Sequence, residues 1–169
     1  MNNGEKTANF ASGLKKTLPN GYSVYYDHGK KGDPFVCACK GVLGETLSNK
    51  TRIADFDIVI IKGDKVKMII EIEESGTLSP KKVIGYYFAL AFIDSIFLKD
   101  NKPLTVDGKT KRIIAGLVNE NGNSKEKIEN IERKIKETCQ VLPQIKIIKC
   151  SKDSELFEEL KRQITAYCK

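Results

Sequence analysis

The segment from Ala54 to Ser75 constrains the fold of this chain more than any other stretch of its sequence. Two apolar runs, Ile58 to Ile61 and Val66 to Ile72, flank a polar turn at Gly63 and Asp64. Both runs are rich in β-branched residues and are too short to be separate helices, so we predict a β-hairpin. Because each run is apolar on both faces, other elements should cover the hairpin from both sides.

Acidic residues stand at one end of this apolar hairpin. Side chains two apart along a strand share a face, so Asp55 and Asp57 are predicted to lie together on the first strand, and Glu71 and Glu73 on the second. Counting outward from the turn places Asp57 opposite Glu71. Carboxylates are seldom buried together without a cation, and oxygen ligands suit Mg²⁺ or Mn²⁺. The alternative is a set of solvent-facing acids at a strand start.

The acidic pattern resembles the motif of the PD-(D/E)xK nuclease superfamily. The matching residues are Asp57 before the first apolar strand and Glu71-Ile72-Glu73 on the second, with Glu73 where the family usually has lysine. A minority of type II restriction endonucleases carry Glu-x-Glu at this place. The resemblance implies that Asp57, Glu71, Glu73 and the carbonyl group of Ile72 bind the metal. Glu73 is a candidate general base or a second metal ligand.

A helix is predicted from Ser79 to about Leu98, apolar nearly all round and therefore buried. Lys81 and Lys82 in its first turn oppose the helix dipole, which favours acids there. One interpretation is that one of these lysines replaces the missing motif lysine near the scissile phosphate, since helix N-termini bind phosphate. The alternative is two solvated lysines. Ser75 is a further candidate for contact with metal-bound water or phosphate.

The remaining periodicities predict a chain that alternates strands and helices. Further helices are predicted over 5–18, 124–139 and 153–167, and further strands over 22–26, 35–39, 112–118 and 145–150. Strands joined by crossover helices predict an α/β fold, a mixed β-sheet flanked by helices, in one domain spanning 1–169. The resemblance implies a restriction-endonuclease-like αβββαβ core over about 5–118, with additional βα elements over 119–169.

The distribution of charge favours a polyanionic partner. The formal net charge is +7, divided into +4 for residues 1–53, −2 for residues 54–100 and +5 for residues 101–169. An acidic centre within basic surroundings suits an enzyme that acts on phosphodiesters. Lys40, Lys50 and Arg52, in a loop predicted over 40–53, are candidate DNA contacts together with Ser75, Lys81 and Lys82.

Other features narrow the class of protein. The sequence has no apolar run long enough for a membrane span, no signal peptide and five scattered cysteines, so we expect a reduced cytoplasmic protein. Cys37-x-Cys39 has no second pair at zinc-site spacing. The favoured function is a metal-dependent DNA endonuclease of the restriction type, for which a homodimer is expected by analogy. A repair or junction nuclease, and a non-cutting module that binds nucleic acid or a protein partner, are the alternatives.

Overall fold

The computed structural model describes residues 4–30, 32–99, 102–120, 122–140 and 142–169, without the side chain of Ser75. The helices and strands in chain order are α1 (Glu5–Lys15), β1 (Tyr22–Tyr26), β2 (Cys39–Val42), β3 (Arg52–Phe56), β4 (Ile58–Lys62), β5 (Lys65–Thr77), α2 (Pro80–Phe92), β6 (Ser95–Phe97), β7 (Pro103–Thr105), β8 (Lys111–Leu117), α3 (Ser124–Thr138), β9 (Ile145–Cys150) and α4 (Asp153–Tyr167).

The predicted hairpin is confirmed and lies at the centre of the fold. Strands β4 and β5 pair antiparallel, with Ile58 opposite Ile70. Gly63 in the turn has a φ angle of 61°, a left-handed conformation that glycine adopts without strain. Strand β5 continues beyond Ile72 to Thr77. Glu71 and Glu73 therefore both lie within this strand and not in the loop after it.

The hairpin belongs to a five-stranded mixed sheet with the order β1-β4-β5-β8-β9. Strands β1, β4 and β5 are antiparallel neighbours, whereas β5, β8 and β9 are parallel neighbours. Parallel neighbours need crossover connections, and α2 and α3 lie within those connections. The prediction of an α/β fold with a mixed sheet flanked by helices is therefore confirmed.

Side chains of the sheet alternate between two hydrophobic layers. Ile70 belongs to the layer that contains residues of α1 and α4, and Ile69 belongs to the layer that contains residues of α2 and α3. Because this alternation continues along β5, Glu71 and Glu73 face α2, whereas Glu74 faces α1. The acids on the two faces of β5 therefore point towards different helices.

Glu74 provides the N-terminal cap of α1. Its Oε2 accepts a hydrogen bond from the backbone N–H of Gly4 at 3.0 Å, and its Oε1 accepts one from the backbone N–H of Thr7. A helix leaves its first N–H groups without partners inside the helix, and a carboxylate there also interacts favourably with the helix dipole. Glu74 is therefore a residue of the scaffold that ties β5 to α1.

Replacing Glu74 by alanine is expected to lower the free energy of unfolding by about 1–2 kcal/mol, because two N–H groups lose their acceptor. Urea denaturation measures this loss. The matched control is Glu5→Ala, which removes an exposed acid from the first turn of the same helix and should cost about 0.5 kcal/mol or less. Equal losses in the two variants would contradict the assigned cap.

A second sheet, with the order β3-β2-β6-β7, was not predicted. The prediction of a loop over 40–53 is wrong, because Cys39–Val42 and Arg52–Phe56 pair as antiparallel strands. The predicted strand over 35–39 is also shifted, since β2 begins at Cys39 and only Val36 forms an isolated bridge with Tyr26. These strands are short and have polar residues at their ends. The alternation of apolar and polar residues that identifies a strand is therefore weak in this part of the sequence.

The helix predicted from Ser79 to about Leu98 ends earlier, at Phe92. Ile93 is already extended, and Ser95–Phe97 pairs with β2 as strand β6. Aromatic and β-branched residues suit a strand as well as a buried helix, so tertiary pairing decides between the two. Across the described residues no helix, α2 included, has the length and apolar content needed to cross a membrane.

Candidate functional site

Asp57 and Glu71 form a carboxyl pair at the end of the central hairpin. Asp57 lies between β3 and β4, where its carbonyl oxygen accepts a hydrogen bond from the N–H of Asp27 at 3.1 Å. Its Oδ2 accepts a hydrogen bond from the N–H of Ile72 at 2.7 Å, and its carboxyl group is hydrogen bonded to that of Glu71. The predicted placement of Asp57 opposite Glu71 is therefore found in the structure.

The electrostatics of this pair are those of two acids that cannot both ionise easily. Burial raises the pKa of Glu71 well above its usual range, and the charge of Asp57 raises it further. Burial also raises the pKa of Asp57, against the lowering effect of its hydrogen bonds from Glu71 and Ile72. Glu71 is only 6% exposed, and neither acid forms a salt bridge within the described part of the chain. A shared proton or a bound cation would balance the charge of this pair.

Glu73 lies beside this pair with two partners from α2. The Nζ of Lys82 lies 2.6 Å from its Oε2, and the hydroxyl group of Tyr86 donates a hydrogen bond to the same oxygen at 3.0 Å. Burial raises the pKa of Tyr86, and the hydrogen bond to Glu73 adds to this effect. Lys82 and Tyr86 are one helical turn apart and share a face of α2, so the helix presents both to the strand.

The two lysines at the start of α2 have different surroundings. Lys82 reaches Glu73, whereas Lys81 is exposed and forms no hydrogen bond or ion pair with any residue that the structure describes. Ser79 caps the helix by accepting a hydrogen bond from the N–H of Lys82 at 3.4 Å. The side chain of Ser75, a candidate for a phosphate contact, lies outside the described residues.

Asp55 does not lie beside Asp57 on one strand, and that prediction is wrong. It lies on β3, in the second sheet, where the guanidinium group of Arg52 forms a bidentate ion pair with it. The bend at Asp57 separates β3 from β4, so the side-chain alternation is not continuous between the two acids. The charge of Asp55 still contributes to the raised pKa of Glu71.

The other candidate DNA contacts lie on the second sheet. Lys40 is on β2 opposite Asp55, and Arg52 is engaged by Asp55. Lys50 lies in the turn between β2 and β3, where its N–H donates a hydrogen bond to the hydroxyl group of Ser48 at 3.2 Å and its side chain is exposed. Lys50 and Arg52 thus lie at the start of β3, whereas Asp57 follows the end of that strand.

The donor set of the site consists of two carboxylates and a backbone carbonyl. Within the described ranges no three His, Cys, Asp or Glu side chains are arranged to hold a metal ion. Because the N–H and carbonyl group of one strand residue point to the same side, the carbonyl of Ile72 lies on the side of Asp57. Mg²⁺ is usually held by one or two carboxylates, with waters and substrate phosphates completing its coordination. The residues present fit such an ion.

Sequence reasoning missed Tyr86, Glu74 and His28. Tyr86 was detectable from its spacing of four residues from Lys82. His28 has a φ angle of 60°, which is uncommon for a residue other than glycine, and its N–H donates a hydrogen bond to Asp27 at 2.8 Å. Its charge lowers the pKa of Asp57, so the one histidine of the chain lies near the carboxyl pair.

A cavity of about 1040 Å³ lies apart from this site. It is lined by Arg112 and Lys146 near the starts of β8 and β9, and by Tyr167 near the end of α4. Strands β5 and β8 are parallel, with Met68 beside Lys111 and Glu73 beside Gly116. The cavity and the carboxyl pair are therefore at opposite ends of the sheet.

Comparisons of this chain with protein-family models, with curated proteins and with solved structures gave no match. The function is therefore inferred from the chemistry of the carboxyl pair and its neighbours.

Proposed function

We propose that this protein is a metal-dependent DNA endonuclease whose active site is built on Asp57 and Glu71. The observation that carries the proposal is the buried carboxyl pair, hydrogen bonded to itself and lacking a salt bridge within the described residues. Such a pair is costly unless a cation binds it. An acidic pair flanked by a lysine fits a site that binds a metal ion and a phosphate.

The order of the elements supports the same class of protein. The order α1, β1, β4, β5, α2 and β8 is compatible with an αβββαβ core if β2, β3, β6 and β7 are additional strands. The motif residues Asp57 and Glu71-Ile72-Glu73 lie at the end of the central hairpin. Function is argued from the site and not from this order, because one fold serves many activities.

In the proposed mechanism Asp57, Glu71 and the carbonyl of Ile72 would hold Mg²⁺ or Mn²⁺. Such an ion, when bound, would supply Lewis-acid chemistry for the phosphate and would make a bound water molecule more acidic. Lys82, held by Glu73, places a positive charge where the reacting phosphate would gain negative charge. Glu73 has the role of orienting Lys82, and it can accept a proton when that ion pair opens.

The charge of the chain supports a nucleic-acid substrate. Residues outside the segment 54–100 together carry +9 and the segment itself carries −2, which gives the net charge of +7. Lysine and arginine side chains outside the acidic centre would neutralise backbone phosphates, so affinity for DNA should fall steeply with salt. A restriction-type activity on double-stranded DNA is the proposed subclass.

The test is cleavage of supercoiled plasmid with Mg²⁺ or Mn²⁺ and with EDTA. Cleavage that needs the metal and disappears in Asp57→Asn supports the proposal. Cleavage that survives this substitution in an otherwise identical preparation would overturn the assigned site.

A second candidate function is a nuclease-fold module that binds DNA or a protein partner without cutting. The observation that favours it is Glu73, which stands where the resembled family has lysine and is neutralised by Lys82. Salt-dependent DNA binding without cleavage in either metal ion would select this alternative.

The stabilisation of the protein by Mn²⁺ is expected to increase with pH. The raised pKa of Glu71 means that the folded, metal-free protein keeps a proton that the unfolded chain releases near pH about 4.3. The pair therefore contributes most to stability below that pH, and this contribution is lost as the pH rises through the raised folded pKa. Mn²⁺ replaces the proton, and it competes with fewer protons at higher pH.

Melting temperatures measured with and without Mn²⁺ between about pH 5.5 and 8.5 test this expectation. We expect the metal to raise the melting temperature by about 5 °C or more at the alkaline end and by less at the acidic end. An Mn²⁺ effect that is the same at every pH, or that persists in Glu71→Gln, would contradict binding at this pair.

A further inference from the structure

The outer face of α2 carries an apolar stripe that none of the residues described by the structure covers. Ile84, Phe88 and Phe92 follow one another at intervals of four residues and are 40%, 45% and 49% exposed. The rings of Phe88 and Phe92 stack with their centroids 5.8 Å apart. No charged residue occurs between Lys82 and Asp94, although an ordinary surface helix has a charged outer face. A helix that is apolar all round is normally buried on all sides.

Gly85 lies on the same exposed stripe. A Cβ atom added to it would meet nothing within 4 Å, so packing within the chain does not require glycine here. Glycine is less favourable than alanine in the interior of a helix. Nothing in a single copy of the chain therefore explains why glycine occurs at this position. A position without a side chain allows another helix to approach closely.

We propose that this stripe, formed by Ile84, Gly85, Phe88 and Phe92, is the interface between two copies of the chain, with the two α2 helices antiparallel across a two-fold axis. The proposal concerns a surface that the carboxyl pair does not use. The interface itself does not depend on the proposed function. Only its consequence for cutting both DNA strands rests on that function.

The charges at the two ends of the stripe identify a second copy as the occupant. Lys81 is exposed at its start, and Asp94 is exposed just beyond its end, where the Oδ2 of Asp94 accepts a hydrogen bond from the N–H of Gly44 at 2.7 Å. In an antiparallel pair, the basic end of each helix meets the acidic end of the other. A parallel pair would place Lys81 against Lys81. The stripe is therefore complementary to itself in one orientation, as a two-fold interface requires.

The exposed apolar surface on and near α2 supplies part of the area that a homodimer interface needs. The exposed parts of the three α2 side chains, together with Leu43 just after β2 and Ile53 on β3, amount to roughly 400 Å² of apolar surface. This is about half of the roughly 800 Å² that each partner contributes to a stable interface. Aromatic residues at its centre and charges at its rim match the usual composition of interfaces.

The proposed dimer has a consequence for cutting. Helix α2 has 13 residues, which corresponds to a length of roughly 20 Å, and Lys82 lies in its first turn. Antiparallel helices place the two Lys82 residues, and the carboxyl pairs beside them, at opposite ends of the interface. One dimer would then present one site to each strand of a DNA duplex.

Sedimentation velocity without DNA or metal tests the interface directly. The native chain should sediment at twice its 18.9 kDa mass, and Phe88→Asp should shift it to the monomer by weakening association at least about 100-fold. Gly85→Lys should also dissociate the dimer while raising the melting temperature of the monomer by about 2–4 °C, because lysine is the better helix former. This second variant separates assembly from folding.

The matched control is Gly13→Lys, the same substitution at an exposed position of α1 where an added Cβ also meets nothing within 4 Å. It should remain dimeric. A native chain that sediments as a monomer, or a dimer that persists in both Phe88→Asp and Gly85→Lys, overturns the proposal. A dimer that dissociates equally in Gly13→Lys overturns it as well.

Plasmid cleavage separates this proposal from the proposed function. If both hold, the native chain gives linear product and Phe88→Asp gives nicked circles. A dimer sensitive to Phe88→Asp that does not cut supports the interface and removes the nuclease. A native monomer that cuts supports the nuclease and removes the interface.

Discussion

Replacing Glu71 by glutamine is expected to lower metal-dependent DNA cleavage by at least about 1,000-fold and to raise the melting temperature of the metal-free protein by about 3 °C. Cleavage falls because the pair loses a charge that binds the cation. Stability rises because glutamine keeps a hydrogen-bonding side chain beside Asp57 and is neutral without a proton, whereas Glu71 must take up a proton on folding. Opposite signs for activity and stability are typical of a functional site whose groups are unfavourable without a ligand. Plasmid cleavage and thermal denaturation measure the two effects.

The matched control is Asp55→Asn, which removes a carboxylate from the same neighbourhood but from the ion pair with Arg52. Its cleavage rate should change by less than about 3-fold, and its stability should fall slightly with the loss of a surface ion pair. If Glu71→Gln destabilises the metal-free protein and leaves cleavage intact, the carboxyl pair is a structural feature and not an active site.

Replacing Lys82 by methionine is expected to lower cleavage by about 100-fold, because the positive charge near the reacting phosphate is lost. Methionine keeps most of the length of the side chain, so packing on α2 changes little. Stability should also fall, by about 1–2 kcal/mol, since Glu73 is 5% exposed and loses its cationic partner. Single-turnover cleavage rates and urea denaturation measure the two losses.

Two further variants separate the chemical role of Lys82 from its structural role. Lys81→Met, in the next residue, removes an equal charge from an exposed side chain and should change cleavage by less than about 3-fold. The double variant Lys82→Met and Glu73→Gln should recover the stability but not the activity. Recovery of both would assign Lys82 a purely structural task.

The central hairpin and the opposition of Asp57 and Glu71 were predictable because they depend on local features. Periodicity of two, turn chemistry at Gly63 and counting from the turn determine which residues of neighbouring strands meet. The sequence left open whether Lys81, Lys82 or neither faces the acids, and the structure shows that Lys82 reaches Glu73. Contacts close in sequence were the ones that the sequence predicted.

The features that sequence reasoning missed depend on contacts between distant parts of the chain. Asp55 is engaged by Arg52 in a second sheet that forms only when β2 pairs with both β3 and β6. Glu74 caps α1 from far along the chain, and no local pattern indicates that pairing. The end of α2 at Phe92 is likewise determined by the pairing of β6. Such pairings are decided by tertiary packing and not by local propensity.

The proposed metal site is tested most directly by a crystal of the protein soaked in Mn²⁺ and measured for anomalous scattering. We expect a peak between the carboxylates of Asp57 and Glu71, within about 2.0–2.3 Å of their oxygens and of the carbonyl oxygen of Ile72, with the hydrogen bond between the two acids broken. A crystal with no peak at this position, in which Asp57 and Glu71 remain hydrogen bonded to each other, would contradict the proposed site.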